Sequence, residues 1–279
     1  MKGLILLACF LGVIAYYTML ERVLLGAVQR RFGPLKPRAL GLLTPLADSV
    51  KLILKQSLLP VNSKIGYSLA PFLLTAGMVV VLIYCIMANL VFFQLCEFLC
   101  LIRLIPLPLF LVGYLRGRFY GLLGAARAVA QSLSYEVILA FVLVSLVYQR
   151  SSFHIQNYSS IVPEHFANCI ILIFLLIVGL AETNRSPFDF VEGESELVSG
   201  FNVEYQGWQF ALVFLSEYGI IVFFSLLMRV AFGLHCVAPL ILLYYILIRS
   251  LIPRFRYDKL LNLCWCILLP FVLLLFWLV

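Results

Sequence analysis

The segment Ala181-Glu182-Thr183-Asn184-Arg185-Ser186-Pro187-Phe188-Asp189 follows an apolar run and continues through Glu192, Glu194 and Glu196 to Glu204-Tyr205. Carboxylates beside hydrocarbon are costly unless paired, hydrated or protonated, so such a cluster marks by default a path for protons or cations. Glu136 and Glu217 add acids inside apolar stretches, and Glu182 closes a third stretch where the acidic segment begins. One embedded acid can be a packing device satisfied by a neighbouring arginine or tyrosine. Three of them, joined to a carboxylate-rich mouth, favour a hydrated proton wire.

Spacing around Glu136 adds detail. Arg127, Gln131 and Ser134 recur at helical intervals, whereas Glu136 falls roughly 140° round the axis from Gln131, so one helix presents two polar stripes. Glu97 and Arg103 have no such company in the sequence and read as snorkelling or subunit-facing polar residues near a helix start.

The elements that must position these groups follow from composition. The chain is 64% hydrophobic and 12% charged, with a mean hydropathy of +1.08. That excludes a water-soluble globule and implies an all-α polytopic membrane protein, read as a single membrane domain over residues 1–279. Uncharged runs at 3–20, 65–96, 165–181, 230–248 and 260–279 each approach the roughly 20 apolar residues of a bilayer crossing. Weaker candidates cover 98–115, kinked by Pro106 and Pro108, 124–147 around Glu136, and 208–232 around Glu217, making about eight transmembrane helices. The first run is not closed by a small-residue cleavage site, and Glu21-Arg22 follow directly, so it reads as a mature helix rather than a secretory signal.

Lysine and arginine set the expected orientation. Eight of the 20 lie between Arg22 and Lys64, and Arg116, Arg118, Arg127, Arg185, Arg254, Arg256 and Lys259 lie in or beside alternate later loops. Both termini are then outside, and the inner side carries a first loop at about 30–64 and the acidic loop at about 182–206. The net charge of +7 is accounted for by that sidedness and by anionic lipid or partner surfaces, with no call for nucleic acid. The eight cysteines fall almost entirely within apolar runs, where cysteine behaves as a small hydrophobe. No paired Cys-x-x-Cys set, histidine cluster or phosphate-cradling glycine loop is present, so neither a metal site nor a redox centre is expected.

Within the first inner loop, residues 43–59 show helical periodicity without the length to cross a membrane. Leu43, Leu46, Ala47, Val50, Ile53 and Leu54 share one face, and Asp48, Lys51 and Lys55 recur on another, as in an amphipathic interfacial helix. Pro45 suits its opening turn. The apolar face can serve as a membrane-surface contact or as the wall of a site for an amphiphilic ligand.

The string from Glu182 to Asp189, with Glu192-Gly193-Glu194-Ser195-Glu196-Leu197-Val198-Ser199-Gly200-Phe201-Asn202 and Glu204-Tyr205, closely resembles the signature of NADH:ubiquinone oxidoreductase subunit 1, a family of core membrane subunits of respiratory complex I. Glu21-Arg22, Leu25-Gly26, Gln29-Arg30-Arg31 and Gly33-Pro34 look like that family's first-helix motif. Ala126-Arg127-Ala128-Val129-Ala130-Gln131 with Ser134-Tyr135-Glu136-Val137 looks like its fourth-helix motif, and Pro253-Arg254-Phe255-Arg256-Tyr257-Asp258 like its last inner loop.

The resemblance implies a subunit without a redox centre of its own. NADH, flavin (FMN) and iron-sulfur clusters would belong to partner subunits, and ubiquinone would be the substrate. Arg22, Gln29, Arg31, Asp48, Lys51 and Phe201 would lie around the quinone entrance and tunnel, with Ala47 in the wall formed by the amphipathic helix. Glu136, Glu182, Asp189, Glu192, Glu194, Glu204 and Glu217 would form a chain of acids relaying protons toward antiporter-like subunits. Implied partners are hydrophilic quinone-module subunits on the inner side, small and antiporter-like membrane subunits, and the bilayer. The implied location is the mitochondrial inner membrane, or less readily a bacterial plasma membrane. Two other readings stay open at this stage: a paralogous anchor of a membrane-bound hydrogenase complex, and a stand-alone cation transporter. The two halves show none of the internal similarity that a transporter built from inverted repeats would carry.

Overall fold

Inside a bilayer every backbone N–H and C=O must be satisfied within its own segment, so long apolar runs become helices. The computed structural model describes residues 2–34, 41–55, 64–88, 95–115, 119–150, 166–189, 200–202, 205–232 and 237–278. Among them every regular element is helical. In chain order these are α1 (Lys2–Val28), α2 (Thr44–Leu54), α3 (Lys64–Ala88), α4 (Leu95–Ile102), α5 (Pro106–Tyr114), α6 (Phe119–Arg150) and α7 (Phe166–Glu182). A 3-10 turn (Gly200–Asn202) follows, then α8 (Trp208–Phe232), α9 (Val237–Leu251), α10 (Tyr257–Asn262), a π-helical segment (Leu263–Leu268) and α11 (Leu269–Leu278). Five stretches are long and apolar enough to cross a membrane: Ala8–Val28, Gly66–Tyr84, Phe119–Gln149, Trp208–Arg229 and Tyr257–Trp277. Shorter apolar helices, Leu99–Tyr114, Cys169–Glu182 and Ala238–Leu251, lie at the other predicted crossings.

Two helix boundaries bear on the site. The predicted first crossing stops at residue 20, but α1 runs on to Val28 and carries Glu21 in its body. The charge is tolerated because it is answered. Tyr218 Oη donates to Glu21 Oε2 at 2.7 Å, Arg249 forms an ion pair with the same carboxylate, and Arg185 Nη1 lies 4.0 Å from it. One buried acid thus ties α1 to α8, to α9 and to the start of the acidic segment. The second boundary is the predicted proline kink, which is a full break. The α4 helix ends at Ile102 and α5 starts with Pro106, whose missing N–H is harmless at a first helical position.

Packing centres on α6 and α8. The α6 helix lies between α5 and α7, with the 3-10 turn resting on it, while α8 meets α1, α2, α3, α7 and α9. Tyr135, Ile138 and Leu139 from α6 and Phe223, Phe224 and Met228 from α8 are among the fully buried side chains. After the acidic segment the chain is pinned by Tyr205. Its ring stacks on Tyr67 with centroids 4.7 Å apart, and its hydroxyl donates to Val112 O at 2.8 Å.

Gly124 lets the 3-10 turn approach α6. A Cβ at that position would meet Phe201 N at 2.9 Å and Gly200 Cα at 3.1 Å, both backbone atoms that cannot step aside cheaply. Gly77, by contrast, has nothing within 4 Å of such a Cβ.

Gly124→Ala is expected to lower the thermal stability of the assembled enzyme by about 1–3 kcal/mol through overpacking, whereas Gly77→Ala is neutral or slightly stabilising. Thermal inactivation of the two variants side by side checks this. Glu21→Gln keeps the shape but removes the buried negative charge that Arg249 and Arg185 face. A loss of about 3–5 kcal/mol follows, read as reduced assembled complex on native gels.

Candidate functional site

Two clusters bring sequence-predicted residues together. The first is a pocket between α6, the end of α7, α8 and the α4–α5 break. Glu136 and Glu182 both line it, with Ser132, Asn184 and apolar side chains including Ile105, Leu109, Ile220 and Phe223. The cavity is about 30 Å³, room for roughly one or two water molecules. Both carboxylates are buried. Glu182 Oε1 and Asn184 Oδ1 have no hydrogen-bond partner among the described residues. Polar atoms of this kind facing a small cavity satisfy the conditions for a held water.

Local sequence explains how Glu182 comes to sit there. Asn184 takes a left-handed backbone (φ 49°), a conformation asparagine tolerates better than most side chains, and its N–H bonds back to Ala181 O at 3.3 Å. The helix therefore stops at Glu182, directly after its last apolar residues. Gln131, read from sequence as part of a polar stripe, acts as a clamp. Its Nε2 donates to Ala181 O at 2.8 Å and to Phe188 O at 3.1 Å, holding the end of α7 and the following turn against α6.

Glu136 has a partner that the sequence reading dismissed. Arg103, expected to be peripheral, donates from Nε to Glu136 Oε1 as an ion pair. Glu97, its supposed companion, instead accepts from Tyr84 Oη at 2.7 Å. The remaining described acids of the predicted relay sit apart from the pocket. Asp189 is buried and pairs with Arg254 Nη2 at 3.3 Å. Glu217, on α8, accepts from Asn202 Nδ2 at 3.2 Å. Glu192, Glu194 and Glu204 lie outside the described residues.

The second cluster is the seam between α1 and α2. Arg22 Nη1 reaches Asp48 Oδ2 at 2.9 Å, joining two predicted quinone-site residues from different helices. No residue of α2 is buried, and Leu46, Val50, Ile53 and Leu54 are exposed together. Ala47 and Lys51 are exposed on the same helix, and Gln29 and Arg31 are exposed just past α1. Phe201 is not at this seam's surface: it is 2% exposed, within the 3-10 turn that packs on α5 and α6.

Two functional candidates escaped the site list drawn from sequence, Glu21 and Arg103. Glu21 was visible as a charge directly after an uncharged run, a signal that gains weight once the helix is seen to continue past it. Arg185, which also lies over the Tyr218 ring at 4.4 Å from its centroid, links that acid to the acidic segment. Among the described residues, no group of three or more His, Cys, Asp or Glu side chains is placed to hold a metal ion.

Comparison with known proteins converges on one family. The family profile described as NADH dehydrogenase matches residues 1–279. NADH-ubiquinone oxidoreductase chain 1 of Mytilus edulis is 37% identical over 277 residues, covering 93% of this chain and 91% of that one. The protein of the same name from Aedes aegypti is 39% identical over 285 residues, with 96% and 90% covered. That from Dictyostelium citrinum is 38% identical over 298 residues, with 99% and 91% covered. With a match that runs the length of the chain and relatives well above the identity at which homology is secure, this all-α membrane protein belongs to the NADH dehydrogenase family, alongside the proteins named NADH-ubiquinone oxidoreductase chain 1.

Proposed function

We propose that the chain forms the membrane side of the ubiquinone chamber of respiratory complex I and relays protons from that chamber toward the pumping subunits. As a family member it is a transmembrane subunit of an NADH-ubiquinone oxidoreductase, and on this proposal it works in the mitochondrial inner membrane. NADH, FMN and the iron-sulfur clusters reside in partner subunits. Electrons reach ubiquinone from the hydrophilic quinone module, and this chain supplies the wall and the acids.

The observation that carries the relay is the shared cavity of Glu136 and Glu182. Two carboxylates lining one small cavity can exchange a proton through held water, which isolated embedded acids cannot do. Asp189 and Glu217, outside the lining of this cavity, would be further members of the relay, and Glu192, Glu194 and Glu204 would complete the mouth. The quinone side rests on the α1–α2 seam. Arg22, Asp48, Lys51, Gln29 and Arg31 supply charges and donors for the head group beside the apolar face of α2, on which Ala47 sits, and that face suits an isoprenoid tail. Phe201, buried on α6, would shape the tunnel from within. In this mechanism reduced or anionic quinone near the inner loops changes the protonation of the acidic mouth, and Glu136, Glu182 and Glu217 pass the change inward. Charge moves; no covalent bond to the substrate is made by these side chains.

Glu217→Gln preserves the Asn202 contact surface but removes the transferable proton. Assembly is expected to persist while protons pumped per quinone reduced fall about tenfold or more, as for loss of one proton-transfer group; full pumping in proteoliposomes would remove Glu217 from the relay. For the chamber, Ala47→Trp is expected to raise the KM for quinone about tenfold, a loss of about 1.4 kcal/mol. NADH oxidation by an artificial acceptor should be untouched, and unchanged quinone kinetics would take α2 out of the wall.

A further inference from the structure

Among the described residues that line the α6–α7 pocket there are two acids and no cation. Two carboxylates, Glu136 and Glu182, line it, and its other lining groups are Ser132, Asn184 and apolar side chains. One guanidinium, that of Arg103, is paired with Glu136. Tyr135 and Cys264, which also lie near Glu182, bring no positive charge.

Position makes this arithmetic binding. Arg103 occupies the break between α4 and α5, beside a carboxylate that is buried among apolar side chains, where uncompensated charge is poorly tolerated. The Glu136 side chain is 6% exposed and that of Arg103 65%. The arginine therefore meets the Glu136 carboxylate from the exposed side, with Nε on the carboxylate.

We propose that Arg103 sets the number of protons in this pocket: by balancing one carboxylate it leaves Glu136 and Glu182 sharing a single exchangeable proton, where without it they would hold two. The consequence for the relay, on the reading given above, is direct. A pair of acids holding one proton has a donor and an acceptor, whereas a pair holding two has no acceptor. Arg103 is a positioning residue for proton transfer that touches neither substrate nor cofactor.

The count can be read without pumping. In the assembled enzyme, infrared difference spectra in the carbonyl region of protonated carboxylic acids compare each variant with its parent. R103Q is expected to gain one protonated acid, E136Q to lose one, and the double variant R103Q/E136Q to match the parent. R103K, which keeps the charge, should also match. A parent-like spectrum for R103Q or for E136Q overturns the proposal. Where R103Q fails to assemble, E136Q alone decides, since it removes an acid and leaves the arginine in place. Proteoliposome pumping is measured on the same samples, with NADH oxidation by an artificial acceptor as the control for assembly. R103Q is expected to lose at least about tenfold in protons per quinone while R103K retains most of it. The expected spectra together with normal pumping by E136Q would uphold the proton count and discard the relay.

Discussion

A negative charge cannot stay unanswered in hydrocarbon, and the buried acids of this chain are each built into the fold through the answer they receive. Glu21 is met by Arg249, Arg185 and Tyr218, Asp189 by Arg254, and Glu136 by Arg103. Every one of these contacts joins segments far apart in the chain, so neutralising charge and assembling the helices are one event. Glu182 is the exception. Its Oε1 has no hydrogen-bond partner among the described residues, and the residue lines a cavity together with Glu136.

The first helix connects the two halves of the proposed mechanism. Within a single turn, Glu21 points inward to the cluster that anchors Arg185 of the acidic segment, and Arg22 points outward to Asp48 on α2. The exposed Arg22–Asp48 pair contributes little to stability, so it holds α2 in place without locking it. The buried cluster next to it is firm, since breaking one such pair strands a charge. In the proposed mechanism, the wall formed by α2 is therefore mounted on a rigid support shared with the acids.

Helices were the most legible part of the sequence, because hydropathy acts locally and a bilayer admits little else. Pro106 announced the break between α4 and α5, and the periodicity around Pro45 announced α2. What stayed hidden was tertiary pairing. Arg103 and Glu136 are 33 residues apart and Glu21 and Arg249 are 228 apart, and helical spacing reports only neighbours three or four residues away. Glu136 and Glu182 could each be picked out as embedded acids, yet nothing in their spacing placed them on one cavity. The partners of Gln131 were hidden for the related reason that an amide on a polar stripe can bind water or backbone, and here it binds the carbonyls of Ala181 and Phe188. The comparisons with known proteins settle the family for the whole chain, while the acids between residues 190 and 199 rest on sequence alone.

The interrupted third crossing also bears on the local field. Aligned peptide groups give each helix a partial negative charge at its C-terminus and a partial positive charge at its N-terminus. At this break the C-terminus of α4 and the N-terminus of α5 lie three residues apart. Arg103, directly after α4, meets the negative end, and Ile105 and Pro106, at the positive end of α5, border the cavity that holds Glu136 and Glu182. Two short helices in place of one long helix thus bring a negative and a positive macrodipole end to one break, beside an arginine on one side and a pair of acids on the other.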